Sequence, residues 1–232
     1  MFIKPLALAA LITAAAIGTT FAGPVKDAET RIASAYADYR MALFVTNQKK
    51  QAETDAAIAA FRDKWAALSA DWRKTAPPQY ADDAALAETL DKVAKLAETA
   101  AAEAKTGDLA KSHDTLEGIR DALADLRARN GIVSFSDRMN AYHTVMEHVY
   151  DHKYETPAAM AEDVAVLAYL AKDIGGNRPA GANAAEFDPL FKALDGTVAN
   201  LRAAMKSGDA AAIEAARKAI KPAYSRLFLK FG

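Results

Sequence analysis

The chain carries AKTGDLAKSHDTLEGIRDALADLRARNG at residues 104–131 and MKSGDAAAIEAARKAIKPAYSRLFLKFG at residues 205–232. The two stretches align without a gap at a constant offset of 101, which places Gly107-Asp108 on Gly208-Asp209 and Ile119 on Ile220. In each stretch the glycine is suited to end one helix and the aspartate to cap the next. The match therefore predicts an internal duplication, in which each copy ends with a long helix.

Apolar periodicity extends this interpretation over the rest of the chain. From Val25 onward, apolar residues recur at helical spacings of three and four, and no stretch alternates as a strand would. The predicted helices cover about 26–48, a segment around Phe61 and Trp72 that ends before Pro77, a segment around Leu90, and about 108–129, 135–152, 157–173, 189–206 and 209–230. The sequence predicts an all-α fold of tandem, duplicated four-helix up-down bundles with about eight helices, in units 23–132 and 133–232. The alternative is one longer bundle with a single core.

Several helix boundaries rest on capping residues. Ser134 and Asp137 form a capping-box pattern, so a helix should begin directly after Ser134. Thr156-Pro157 and Asp188-Pro189 each place a cap residue before a proline at the first helical position. Pro222 predicts a kink in the last helix because proline lacks the N–H group. Residues 175–183 form the one long irregular loop, which we interpret as a lid or a linker.

The composition excludes several classes of protein. The 232 residues include 29 Lys+Arg and 30 Asp+Glu, and this balance argues against a non-specific nucleic-acid binder. The absence of cysteine excludes disulfide bonds, cysteine-ligated zinc, iron–sulfur clusters and covalently attached haem. A hydrophobic content of 52% with only 11 glycines excludes a disordered or collagen-like chain.

The first 22 residues have the layout of a secretory signal peptide. Lys4 supplies a positive start, residues 6–17 form an apolar run, and Thr20 and Ala22 are the small residues expected before a cleavage site. No other stretch approaches the ~18 apolar residues that a spanning helix needs. We therefore expect cleavage near Ala22, a periplasmic protein and no membrane span after cleavage. The alternative is an uncleaved membrane anchor.

The sequence lacks the common catalytic motifs, and we predict a binding role. The sequence contains no G-x-S-x-G, Walker, G-x-G-x-x-G or H-E-x-x-H motif, so we expect no enzyme. Three of the four histidines, His143, His148 and His152, fall within ten residues, and His113 is the fourth. This uneven placement is the most informative local feature of the chain.

One candidate cluster lies on one side of the predicted helix 135–152. Met139, His143, Met146 and Glu147 project in similar directions at 100° per residue. A thioether, an imidazole and a carboxylate together suit copper, or a His/Met axial pair on a non-covalently held haem. Glu147 would ligate directly or orient the imidazole ring.

A second cluster uses the other histidines. His148 and His152 lie one helical turn apart, a spacing at which two imidazoles hold one metal ion. His113 lies on the preceding antiparallel helix and is level with His152, so it can reach the same site. The predicted metal ligands are His113, Met139, His143, Met146, Glu147, His148 and His152.

A purely structural interpretation of the same residues competes with the metal site. A heptad-like stripe is typical of a bundle core, and it consists of Phe135, Met139, Tyr142, Met146 and Val149. His148 and His152 point away from this stripe, which favours exposure to solvent. Bulky aromatic residues elsewhere are interpreted as core anchors: Tyr36, Tyr39, Trp65 and Trp72.

The exported, alanine-rich four-helix unit resembles the cytochrome c′/b562 group of periplasmic bundles. The helices that follow Gly107-Asp108 and Gly208-Asp209 carry this fold-level likeness, and they lack the Cys-x-x-Cys-His haem motif. The resemblance implies at most a non-covalent haem, for which Met41 and His143 are the candidate ligands.

The chain also resembles imelysin-type periplasmic iron proteins, which are duplicated four-helix bundles. Their His-x-x-Glu motif compares with His143-x-x-x-Glu147, which is one residue longer and lacks the neighbouring glycine. Neither likeness assigns a site residue.

The sequence predicts an exported helical-bundle protein that binds copper or iron through its His/Met/Glu cluster for delivery, storage or sensing. One alternative is a structural or interaction bundle without a cofactor, acting on an unidentified protein partner. The other alternative is a non-covalent haem protein that transfers electrons.

Overall fold

The computed structural model describes residues 23–179 and 181–232, and this part of the chain folds into eight α-helices with no β-strand. The all-α prediction is confirmed. The predicted signal peptide, residues 1–22, lies outside the described residues. The helices are α1 (Pro24–Asn47), α2 (Gln51–Lys74), α3 (Leu86–Lys105), α4 (Leu109–Arg129), α5 (Phe135–Asp151), α6 (Ala161–Gly176), α7 (Ala184–Ser207) and α8 (Ala210–Phe231).

Helices α1 to α4 form the first bundle. Each helix packs against two neighbours, α1 on α2 and α4, and α3 on α2 and α4. The interior is one continuous apolar cluster, so these four helices enclose a core of their own. The aromatic residues predicted as core anchors, Tyr36, Tyr39, Trp65 and Trp72, are all buried in it.

Helices α5 to α8 form the second bundle in the same arrangement. Here α5 packs on α6 and α8, and α7 packs on α6 and α8. A separate apolar cluster fills this bundle, and four residues of the predicted stripe, Met139, Tyr142, Met146 and Val149, are completely buried in it. The two buried clusters share no member, and the partly buried Phe228 packs against both.

Side-chain caps explain four of the eight helix starts, those of α4, α5, α7 and α8. The capping box at the start of α5 is present, with Ser134 and Asp137 hydrogen-bonded to each other's backbone amide groups. Asp108 and Asp209 cap α4 and α8 through their carboxylates. The preceding Gly107 and Gly208 adopt φ of 83° and 71°, a left-handed conformation that glycine adopts without steric cost.

Two predicted helix starts are wrong. α6 begins at Ala161 instead of Pro157, because Thr156 accepts a hydrogen bond from the Ala159 amide group and closes a turn first. α7 begins at Ala184 instead of Pro189, because the Asn183 side chain caps it by accepting from the Ala185 amide group.

Proline residues therefore sit inside two helices. Pro189 lies within α7, and α8 continues through Pro222 as one helix to Phe231. A one-turn 3-10 helix at Pro78–Tyr80, which the sequence analysis did not predict, precedes α3. Among the described helices, none combines the length and the apolar character needed to cross a membrane.

Candidate binding cleft between the two bundles

A cavity of about 530 Å³ lies between the bundles. Its walls are α1 and α4 on one side and α5 and α8 on the other, so each bundle contributes its first and last helices. We call this cavity the cleft. Its charged and imidazole side chains are Arg40, His113, Glu117, Arg120, His143, Glu147 and Lys221, and its large apolar ones are Leu43, Phe44, Met146, Tyr224, Phe228 and Leu229.

Two histidine–glutamate pairs face this cavity from different bundles. On α5, Nε2 of His143 lies 3.2 Å from Oε1 of Glu147. On α4, Nε2 of His113 lies 4.0 Å from Oε1 of Glu117. Both pairs are four residues apart, a spacing that puts two side chains on the same face of a helix. The helices turn these faces toward each other across the cleft.

Glu147 is held as a carboxylate by its neighbours. The hydrogen bond from His143 and the contact with Lys221, whose Nζ is 2.9 Å from Oε1 of Glu147, lower the pKa of Glu147 to about 2. Burial acts in the opposite direction and is outweighed. Glu147 therefore links α5 to α8 and stays ionised over the whole physiological range.

The hydrogen bonds of His113 fix which of its nitrogens carries a proton. Nδ1 lies 2.8 Å from the Thr46 hydroxyl oxygen, and that hydroxyl donates its own proton to the Leu43 carbonyl oxygen. With the Thr46 proton on Leu43, Nδ1 of His113 is the donor, and Nε2 of the neutral ring is the acceptor for the Asn47 side-chain amide at 3.5 Å. Burial lowers the pKa of His113, although Glu117 acts against this shift. His113 thus presents a neutral ring with its lone pair on the nitrogen that faces Glu117.

Arg40 joins α1 to the end of α8. Its guanidinium donates to the main-chain oxygens of Leu229, at 3.4 Å, and of Gly232. These oxygens belong to the negative end of the α8 dipole, which favours a cation. Burial lowers the pKa of Arg40, whose side chain is almost fully enclosed. The contact fixes one edge of the cleft.

A second contact between the bundles lies near the linker. Arg127 of α4 donates two hydrogen bonds to Asp137 of α5, at 2.8 and 2.6 Å. Arg127 is only 2% exposed. Burial acts to lower the pKa of Arg127, but the hydrogen bonds and charge of Asp137 outweigh it and the pKa is raised. We call this pair the clasp.

Aromatic rings form part of the cleft wall and of the interior behind it. Tyr224 stacks on Phe228 at 5.5 Å, and the His143 ring lies 5.2 Å from the Tyr224 ring. The fully buried Tyr39 hydroxyl has no hydrogen-bond partner among the described residues. Burial raises the pKa of Tyr39, and the charged groups that act on it include Arg120 and Glu117 of the cleft. The cleft is thus lined by aromatic rings together with charged and polar side chains.

Four of the predicted ligands lie at the cleft and the other three do not. His113, His143 and Glu147 line it, and Met146 lies behind them, completely buried in the core of the second bundle. Met139 is completely buried in the core of the second bundle, as the structural interpretation of the apolar stripe predicts.

The predicted grouping of His113 with His148 and His152 is wrong. His148 and His152 are exposed on the opposite side of α5, where Nε2 of His148 lies 3.4 Å from Oδ2 of Asp163 on α6. The reason is rotational: His148 and His152 are about 140° and 180° from His143 around the helix axis. Within residues 23–179 and 181–232, no group of three or more histidine, aspartate or glutamate side chains is placed to hold a metal ion.

Two basic residues of the cleft, Arg120 and Lys221, are not among the predicted site residues. Arg120 and Lys221 are related by the offset of 101 that relates the two repeats, and both line the cavity. The spacing His113-x-x-x-Glu117 also repeats that of His143-x-x-x-Glu147. These two coincidences were readable in the sequence and would have directed attention to the faces of α4, α5 and α8 that meet.

Comparison of the chain with protein-family models, with curated proteins and with solved structures finds no match. The resemblance to cytochrome c′/b562 bundles and to imelysin-type proteins stays a prediction. The suggested haem pair is not supported by the geometry, because Met41 is 43% exposed and does not share a core with His143.

Proposed function

We propose that this protein binds a small carboxylic acid with an apolar or aromatic body in the cleft between its bundles. The observation that carries the proposal is the lining of the cleft, where the three cationic side chains Arg40, Arg120 and Lys221 stand beside an aromatic wall. The role that we propose is that of a binding protein.

The size of the cavity suits such a ligand. Small-molecule sites have volumes of roughly 300–1,000 Å³ and combine an apolar wall with a few polar groups that orient the ligand. The cleft of about 530 Å³ lies in this range. Phe44, Tyr224 and Phe228 can cover an apolar body, while Nε2 of His113 can accept a hydrogen bond from a ligand hydroxyl group in place of the Asn47 side-chain amide, which lies 3.5 Å from it.

The charge of the cleft favours an anion. Three cationic side chains and two carboxylates give it a net positive charge, although the whole chain has a formal net charge of −1. The contact between Lys221 and Glu147 is partly open to solvent, with side chains 47% and 27% exposed. Such pairs contribute about 0–1 kcal/mol, so a ligand carboxylate can replace Glu147 on Lys221 at small cost.

A thermal-shift experiment tests the proposal. The probes are benzoate, 4-hydroxybenzoate, phenylacetate and indole-3-acetate, each compared with its uncharged amide. A ligand that binds the native state raises Tm. We expect at least one acid to raise Tm more than its amide, and we expect the shift to disappear in Arg120→Gln/Lys221→Gln.

The matched control removes two positive charges elsewhere. Arg226 lies on the same helix as Lys221 and Lys192 lies on α7, and both are exposed and do not line the cleft. Arg226→Gln/Lys192→Gln should keep the full shift. The proposal is overturned if no acid raises Tm, or if the cleft variant and the control variant respond equally.

We further propose that binding takes place outside the cytoplasm, in the periplasm of a Gram-negative cell. The support is the layout of residues 1–22, with Lys4 before an apolar run and small residues before Gly23. Protein recovered from the periplasmic fraction should begin at Gly23. Recovery from the cytoplasm with Met1 retained would overturn this assignment.

A further inference from the structure

The face of α5 opposite the cleft carries a pair of imidazoles. His148 lies in the last turn of the helix and His152 is its C-cap residue. Their rings stack with centroids 4.8 Å apart and planes inclined by 26°. The His148 side chain is 53% exposed, so solvent and solutes reach the pair directly.

A set of neighbouring groups holds this pair in place. Oδ2 of Asp163 lies 3.4 Å from Nε2 of His148 and accepts a hydrogen bond from the Tyr154 hydroxyl at 2.6 Å. The Tyr154 ring packs edge-on against His152, with centroids 4.6 Å apart.

The backbone turn that carries His152 is also fixed. Arg217 of α8 donates hydrogen bonds to the carbonyl oxygens of Val149, Tyr150 and His152, at 2.8 to 2.9 Å. These oxygens are at the end of α5, where helical carbonyl groups lack partners within the helix. The position of His152 relative to His148 is therefore set by a contact from outside the helix.

We propose that His148 and His152 chelate a divalent late transition metal, with Asp163 acting behind His148. Asp163 faces Nε2 of His148, which leaves Nδ1 of that ring for the metal. A carboxylate that accepts from the outer nitrogen of a ligating imidazole orients the ring and raises its basicity. Two imidazoles bind the ion and water completes its coordination, so the site does not require a third side chain as ligand.

The geometry and the ligand type indicate which ions bind. Imidazole nitrogens bind at about 2.0–2.1 Å from the ion, so two adjacent ligating nitrogens are roughly 3 Å apart. Rings stacked at 4.8 Å reach that separation by small rotations of their side chains. Imidazole sites suit copper, nickel and zinc, and affinity rises through the series to Cu²⁺, which we expect to bind most tightly.

Calorimetric titration of the tag-free protein with CuSO₄ tests the site. We expect one saturable Cu²⁺ site, weakened at least tenfold in His148→Gln and in His152→Gln. Asp163→Asn should weaken it by about tenfold, since outer partners of metal-bound histidines affect affinity by 10–100-fold. Electron paramagnetic resonance of the Cu²⁺ complex should show coupling to imidazole nitrogen that is lost in the double variant.

The two histidines of the cleft supply the control. His113→Gln and His143→Gln should change the Cu²⁺ affinity by less than twofold and leave the spectrum unchanged. The proposal is overturned if no saturable binding is found, if His148→Gln and His152→Gln bind normally, or if the control variants abolish binding. The last result would place the metal in the cleft.

Discussion

The clasp joins the two bundles, whereas the Lys221–Glu147 pair of the cleft joins α5 to α8 within the second bundle, and the two pairs have different surroundings. Arg127 is 2% exposed and makes two short hydrogen bonds to Asp137, which also caps α5. Lys221 and Glu147 are 47% and 27% exposed, and Glu147 is also in contact with the His143 ring. In the clasp the arginine is removed from water and makes two hydrogen bonds to the carboxylate, whereas both members of the Lys221–Glu147 pair stay in contact with solvent.

This difference separates a structural contact from a replaceable one. Breaking a buried ion pair leaves a charge without a partner and costs several kcal/mol, while an exposed pair contributes about 0–1 kcal/mol. A ligand can therefore displace the Lys221–Glu147 contact but not the clasp. The following variants test this contrast.

The largest effect is expected from the clasp. Arg127→Met leaves the Asp137 carboxylate partly buried without its partner, and we expect the free energy of unfolding to fall by about 3 kcal/mol. Urea unfolding measures it. Arg127→Met/Asp137→Asn should lose less than the sum of the two single changes, because neither charge remains. A loss below about 1 kcal/mol for Arg127→Met would contradict the structural role of the clasp.

Arg40 comes next, because its partners are main-chain oxygens. Arg40→Met should lower the free energy of unfolding by about 2 kcal/mol, since hydrogen bonds to a charged group contribute about 1.5–3 kcal/mol. Hydrogen exchange should accelerate in the last turn of α8, around Leu229, and remain unchanged in α6. Uniform acceleration over both helices would show that Arg40 has no local role.

The pH dependence of Glu147 is expected to be smaller. Its pKa is lowered from 4.5 to about 2, so the folded state binds this proton less readily than the unfolded chain. The resulting stabilisation is complete above about pH 4.5 and is lost as the pH falls toward 2. Between pH 5 and pH 2 the parent protein should lose about 1 kcal/mol more than Glu147→Gln, after allowance for solvent screening. Urea unfolding at the two pH values measures both losses. If the parent protein and Glu147→Gln lose the same free energy of unfolding, the effect is excluded.

The smallest effect is expected at a pair that is exposed on both sides. Lys218 and Glu214 of α8 are 65% and 50% exposed and do not line the cleft. Lys218→Gln should change the free energy of unfolding by less than about 0.5 kcal/mol and leave acid binding intact. A larger loss would mean that the solvent exposure of an ion pair does not predict how much that pair contributes to the free energy of unfolding.

The sequence was sufficient where local chemistry determines structure. Asp108, Asp209 and the Ser134–Asp137 box are caps that act within one turn, and their helices begin where predicted. The helix starts predicted at Pro157 and Pro189 are wrong because proline is favoured at the first position of a helix but does not by itself begin a helix. Asn183, five residues before the predicted helix start at Asp188, supplied the cap that was used.

The cleft depended on information that one helix alone does not contain. Periodicity placed His143 and Glu147 on one face of α5 and His148 and His152 on another, as the structure has them. The packing of the two bundles decides which face of α5 meets α4. The sequence gives the position of His113 and His152 along their helix axes, which suggests that they meet. The rotation of each residue around its helix axis, which the sequence does not give relative to the other bundle, separates them. Arg40 was also missed, because its partners are carbonyl oxygens of a helix far away in sequence.

Because each bundle has its own apolar interior, a tilt of one half against the other would disturb the apolar packing chiefly at Phe228, which contacts both cores. Such a tilt would alter the α1–α8 contact, the Asn140–Tyr36 contact and the side chains around Arg127, and it would widen or narrow the space between His113 and His143. An occupant of that space would then act as a spacer, and the angle between the halves would report whether it is present.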